Sequence, residues 1–68
     1  MIKIAVIGAG KGGCALLDIF HTNGEVKVGG IADKDKNAPG LILANKWGIF
    51  IAEDIKEICD QNPDIVIN

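Results

Sequence analysis

Near its start the chain reads Ile2-Lys3-Ile4-Ala5-Val6-Ile7-Gly8-Ala9-Gly10-Lys11-Gly12-Gly13. An apolar run that ends in a G-x-G-x-x-G turn and leads into a helix is typical of a parallel α/β sheet whose backbone contacts a phosphate group. Gly8 allows a sharp turn off the strand, Gly10 lets the backbone approach a phosphate, and Gly13 lets the helix lie near the sheet. The helix start adds unpaired N–H groups and a partial positive charge. The turn therefore predicts a pyrophosphate site.

An acidic residue stands where such sheets place a ribose ligand. Asp33 ends a second apolar run, about 20 residues after the last glycine of the turn. A carboxylate there accepts hydrogen bonds from both hydroxyls of an adenosine ribose and repels a 2′-phosphate, which favours NAD over NADP. NADP remains an alternative cofactor, because the side chain of Lys34 or Lys36 could contact its 2′-phosphate. The alternatives are a solvated acidic loop and a glycine-rich turn that binds nothing.

The predicted cofactor-binding residues belong to the turn and to the loop after the second strand: Gly8, Ala9, Gly10, Lys11, Gly12, Gly13, Asp33 and Lys34. Ala9 and Gly12 are expected to contribute backbone contacts. The Lys11 side chain either lies over the pyrophosphate or faces solvent without contacting the ligand.

Composition limits the classes of function and partner. A chain of 68 residues is one domain or part of one, and it buries only about 60% of its unfolded surface. Its apolar content of 49% is too high for disorder. No apolar block reaches the roughly 20 residues of a membrane span, and no signal peptide is evident. Seven lysines against nine acidic residues predict neither a nucleic-acid nor a membrane partner.

Nucleophiles and metal ligands are scarce. The chain has no serine, and its one histidine, His21, suits the end of the first helix better than a catalytic site. Cys14 and Cys59 are predicted to be small buried hydrophobes, with a reactive thiol at Cys14 as the alternative. We therefore predict no catalytic residue and no metal site. The cysteine usage favours a reducing cytoplasm.

Strands and helices alternate along the chain. The predicted strands cover about residues 2–7, 26–32, 49–51 and 64–67. The predicted helices cover about residues 12–22, residues 39–47, and a segment that opens at Glu53 and Asp54. Near-continuous apolar strands indicate a parallel sheet covered on both faces. Right-handed crossovers then give strand order 3-2-1-4, with a ligand crevice between strands one and four. The prediction is a Rossmann-like α/β fold, a partial doubly wound domain with three helices.

Two further features carry structural predictions. Gly29 and Gly30 interrupt the second strand and mark the close approach of another backbone or a ligand. Trp47 is expected in the core or over the seam between helix and sheet. Unpaired sheet edges predict a homodimer.

These motifs resemble the start of the Rossmann cofactor domain of NAD(P)-dependent dehydrogenases. The similarity is to the family typified by glucose–fructose oxidoreductase and inositol dehydrogenase, and to the homoserine and aspartate dehydrogenases. The segments that carry it are residues 4–13, 28–33, 44–48, 53–55 and 63–67. The resemblance implies cofactor contacts at Gly8, Gly10, Gly13 and Asp33. Those enzymes continue into a substrate domain with a catalytic lysine or histidine. The resemblance therefore implies that residues 1–68 are the N-terminal half of a dinucleotide-binding domain.

The leading hypothesis is an oxidoreductase fragment that binds the ADP part of NAD(P) and is not catalytically complete by itself. The nicotinamide would extend past the fourth strand, toward Asn68. The alternative is a non-catalytic, dinucleotide-sensing regulatory module of a signalling protein. A third possibility is a folded fragment without affinity for a dinucleotide.

Overall fold

A computed structural model describes all 68 residues. The elements are β1 (Ile2–Ile7), α1 (Lys11–His21), β2 (Val26–Ala32), α2 (Pro39–Lys46), β3 (Ile51–Ala52), α3 (Ile55–Asp60) and β4 (Ile65–Ile67). The four strands form one parallel sheet in the order β3-β2-β1-β4. The predicted Rossmann-like α/β fold, with sheet order 3-2-1-4 and three helices, is confirmed.

The sheet is covered on both faces because alternate residues of a strand point to opposite sides. Ile4 and Val6 pack with Leu17 of α1 and with buried residues of α2 in the larger core cluster. Ala5 packs with Ile58 of α3 in the smaller cluster on the other face. α1 and α2 therefore cover one face, and α3 covers the other.

Gly29 and Gly30 lie at an irregularity in the pairing of β1 with β2. The register shifts between Ile4 and Ala5, which leaves Gly29 without a partner on β1. A Cβ atom on Gly29 would lie 2.5 Å from Cε of Lys3. A Cβ atom on Gly30 would lie 3.3 Å from two side chains on the α3 face. Other groups do approach these two glycines closely, as predicted, but the nearest atoms belong to side chains of the protein and not to a ligand.

The third strand begins later than predicted. β3 covers Ile51–Ala52 and not residues 49–51, because Ile49 is bound to the end of α2. The Ile49 amide donates to the Ala44 carbonyl at 2.8 Å, and the Gly48 amide donates to the Asn45 carbonyl at 3.3 Å. With Gly48 at φ 71°, these two bonds form a Schellman motif. Gly48 therefore ends the helix, as predicted.

Cys59 differs from its expectation, whereas Trp47 packs against the core, as predicted. Cys59 is an exposed free thiol, and Cys14 is half-buried and free. The burial prediction for Cys59 is wrong because the six-residue α3 buries only Ile58. Trp47 packs against the larger core cluster and also stacks on His21, with ring centroids 3.8 Å apart and planes 10° apart.

β4 is one edge of the sheet. Its Ile65 and Val66 are 47% and 46% exposed. The homodimer through a sheet edge stays a prediction. None of the three helices has the length and apolar character that a membrane crossing requires.

Candidate functional site

The turn between β1 and α1 presents four consecutive amides that donate to no acceptor in the protein. These N–H groups of residues 10–13 are called the amide cluster below. The first amides of a helix have no partner within the helix. Here no side chain caps them, and the first turn of α1 has no acidic residue. Successive free amides at the positive end of a helix dipole are suited to binding an anion.

The amide cluster borders a cavity of about 480 Å³ between the carboxyl ends of β1 and β4. The glycines of the turn and Leu16 line one side, and Ile67 and Asn68 line the other. This volume is within the range of small-molecule sites. The cavity lies where the strand order reverses, which is where ligands bind in open α/β sheets. The predicted crevice between strands one and four is therefore present.

Three glycines have distinct geometric roles in the turn. Gly8 has φ +104°, a conformation that L side chains rarely adopt. A Cβ atom on Gly13 would lie 2.1 Å from the carbonyl oxygen of Gly8, so α1 can lie this close to β1 only with glycine at that position. A Cβ atom on Gly10 would meet no atom within 4 Å. Gly10 therefore borders open space that a ligand can occupy.

Asp33 connects the end of β2 to the turn. Its Oδ2 accepts a hydrogen bond from the Ala9 amide at 2.6 Å, and its Oδ1 accepts one from the Asp35 amide at 2.7 Å. The Ala9 amide first, and then the Asp35 amide, hold the pKa of the Asp33 carboxyl below its usual range, against a smaller opposing effect of desolvation. Both oxygens of an ionised carboxylate are thus engaged within the protein. A ribose contact for Asp33 stays a prediction.

Ala9 is held through both of its backbone groups. Its amide donates to Asp33, its carbonyl accepts from the Gly40 amide at 2.7 Å, and the residue is fully buried. The ligand contact predicted for the Ala9 backbone stays a prediction, but it would compete with the bond to Asp33.

Sequence reasoning missed Gly40. A Cβ atom on Gly40 would lie 2.8 Å from the Ala9 carbonyl oxygen, so α2 approaches the turn closely only at a glycine. The available signal was a glycine directly after Pro39, where alanine would form a better helix.

The predicted lysines, Lys11 and Lys34, do not line the glycine cavity. Lys11 is exposed and lines a groove between α1 and α2. Lys34 is exposed and lines a second cavity of about 550 Å³ with Asp33 and the loop before α3. The structure therefore brings together the glycines of the turn, Ala9 and Asp33. It does not bring Lys11 or Lys34 into the lining of the glycine cavity.

The sheet order and the crevice at its reversal define the chain as a Rossmann-like α/β domain. No family model and no curated protein matches the chain. A solved structure that is similar to it is the phosphoribosylglycinamide formyltransferase from Anaplasma phagocytophilum. The match has 26% identity and a TM-score of 0.69, and it covers 96% of this chain. The chain spans 37% of the length of that protein.

This likeness overturns the functional prediction. The similar protein is a formyltransferase by name, so the NAD(P)-dependent oxidoreductase, the NAD cofactor and the dinucleotide-sensing alternative are wrong. The physical reason is that free amides at a helix start bind a phosphate group whatever the rest of the ligand is. In addition, Asp33 has backbone partners in the protein without any ribose. The resemblance to the dehydrogenase families stays a prediction.

Proposed function

We propose that this chain binds the phosphate group of a phosphoribosyl compound, as part of a group-transfer protein. The observation that carries the proposal is the amide cluster, whose four N–H groups lack acceptors in the protein. Three of its residues, Gly10, Gly12 and Gly13, line a cavity of about 480 Å³. The similar formyltransferase is named for a phosphoribosyl compound. A phosphate has several acceptor oxygens and up to two negative charges, which suits successive amides at a helix start.

The volume and the lining of the cavity support a ligand with a sugar attached to the phosphate. The phosphate would accept hydrogen bonds from the amide cluster at the start of α1. The ribose would extend along the crevice toward Ile67 and Asn68, which line its far side. The absence of acidic residues in the first turn of α1 removes a nearby source of repulsion for the phosphate.

We further propose that the chain corresponds to the phosphate-binding part of a longer protein, since it matches the similar formyltransferase over 37% of that chain. The group transfer itself would require residues outside the amide cluster, because backbone amides orient an anion but do not accept or donate protons in a reaction. The two free thiols fit a reducing compartment, and we propose the cytoplasm.

The proposal is tested by comparing ribose 5-phosphate with ribose in a calorimetric titration. Ribose 5-phosphate is expected to bind with a dissociation constant of about 1 mM or lower, which is about −4 kcal/mol. Ribose is expected to show no binding at the same concentrations. The affinity for ribose 5-phosphate should fall as salt is added, because the contact is electrostatic and borders solvent. Equal affinity for the two sugars would contradict the proposal. So would binding of neither sugar at a concentration about tenfold above the expected dissociation constant.

A further inference from the structure

We propose that Asp33 is a positioning residue that holds the glycine turn in its anion-binding form, and that it does not bind the sugar of the ligand. The inference rests on the proposed function, because it concerns the same cavity. Asp33 itself does not line that cavity, whereas Gly8, Gly10, Gly12 and Gly13 do.

The geometry connects Asp33 to the residue that precedes the amide cluster. Its Oδ2 accepts from the Ala9 amide at 2.6 Å, and Ala9 immediately precedes residues 10–13. A hydrogen bond from a backbone amide to a carboxylate is stronger than one between neutral groups. The Ala9 carbonyl is held in turn by the Gly40 amide at 2.7 Å. With both backbone groups fixed, the direction in which the chain enters the amide cluster is fixed as well.

The second carboxylate oxygen is also occupied. The Asp35 amide donates to Oδ1 at 2.7 Å, which sets the orientation of the carboxylate toward Ala9. A carboxylate that bound both hydroxyls of a ribose would have to share these oxygens or give up one of the two bonds. The bonds within the protein therefore favour a role in holding the turn.

The effect of the Asp33 charge on phosphate binding and the effect of its bond to Ala9 have opposite signs. A negative charge near an anion site repels the ligand, so the charge of Asp33 taken alone weakens phosphate binding. Removing that charge would tighten binding if Asp33 did nothing else. If Asp33 positions the turn, its neutralisation weakens binding instead, because the bond to Ala9 is lost or weakened. The sign of the change therefore reports the role.

The test compares Asp33→Asn with wild type for two ligands, inorganic phosphate and ribose 5-phosphate. We expect both dissociation constants to rise by the same factor, roughly tenfold, the usual effect of losing a hydrogen bond to a charged group. The matched control is Asp35→Asn, which removes a nearby charge from a side chain that bonds only to the Asn37 amide, at 2.9 Å. Its effect on either ligand is expected to stay within about twofold. In Asp33→Asn, the proton resonance of the Ala9 amide should also move upfield as its bond to a charged acceptor is lost.

Two results would overturn the inference. If Asp33→Asn weakens binding of ribose 5-phosphate but not of inorganic phosphate, Asp33 is a sugar ligand. If it leaves both affinities unchanged or tightens them, Asp33 does not hold the turn in its anion-binding form. Wild type that binds neither ligand would instead overturn the proposed function, so the two failures are distinct.

A measurement on wild type covers the case in which Asp33→Asn does not fold. The carboxyl carbon resonance of Asp33 should shift equally on saturation with inorganic phosphate and with ribose 5-phosphate. A shift seen with ribose 5-phosphate alone would overturn the inference.

Discussion

Gly13→Ala is expected to remove a large part of the stability of the fold. The added Cβ would lie 2.1 Å from the Gly8 carbonyl oxygen, and a backbone atom in the tight turn after β1 cannot move aside as a flexible side chain can. Overpacking typically costs about 1–3 kcal/mol and occasionally more, and a clash with a backbone atom belongs at the upper end. A domain of this length has a total stability of about 3–10 kcal/mol. We therefore expect the urea concentration at the unfolding midpoint to fall far toward zero, or the chain to be unfolded already in buffer.

The control for this prediction is Gly24→Ala. A Cβ atom on Gly24 would meet no atom within 4 Å, and the residue does not have a positive φ. Its free energy of unfolding should stay within about 0.5 kcal/mol of wild type. Equal denaturation midpoints for Gly13→Ala and Gly24→Ala would show that α1 does not approach β1 as closely as the structure describes.

Gly10→Ala is expected to weaken ligand binding strongly while leaving the fold intact. No protein atom lies within 4 Å of the Cβ position, and the backbone there is extended, with φ −71° and ψ −157°. Alanine therefore fits in the free chain. In the complex, the methyl group would occupy space next to the amide cluster that the phosphate needs. The affinity for ribose 5-phosphate should fall at least tenfold, which is about 1.4 kcal/mol.

The measurement pairs a calorimetric titration with a thermal melt of the same sample. Gly24→Ala again serves as the control and should bind like wild type, since it is not among the cavity-lining residues. Wild-type affinity in Gly10→Ala would mean that the phosphate does not approach the turn. A large loss of thermal stability would mean that the site has less room than the structure shows.

The sheet and its crevice could be predicted because each follows from local pattern. The apolar runs predict parallel strands, the glycine turn predicts the β1–α1 connection, and right-handed crossovers restrict the strand order. The features that could not be predicted depend on tertiary neighbours. The stack of His21 on Trp47 joins two helix ends. The Gly40 contact depends on how α2 meets the turn, and the late start of β3 depends on the Schellman motif at Gly48.

The ligand was predicted wrongly for a different reason. The spacing from the glycine turn to Asp33 is typical of a dinucleotide site, but the same spacing also places an acceptor next to the Ala9 amide. A carboxylate in that position satisfies the turn whether or not a ribose is present. The sequence pattern therefore predicts a phosphate-binding turn with an acidic partner. It does not specify what the phosphate is attached to.

The most direct test is a titration of the ¹⁵N-labelled chain with ribose 5-phosphate, followed by the amide resonances. The amide resonances of residues 10–13 are expected to shift most, because those N–H groups would become donors to the phosphate. Amides that already have acceptors, such as those of Gly8 and Asp35, should shift less. Shifts confined to the second cavity, near Lys34 and Glu53, with residues 10–13 unchanged, would contradict the account.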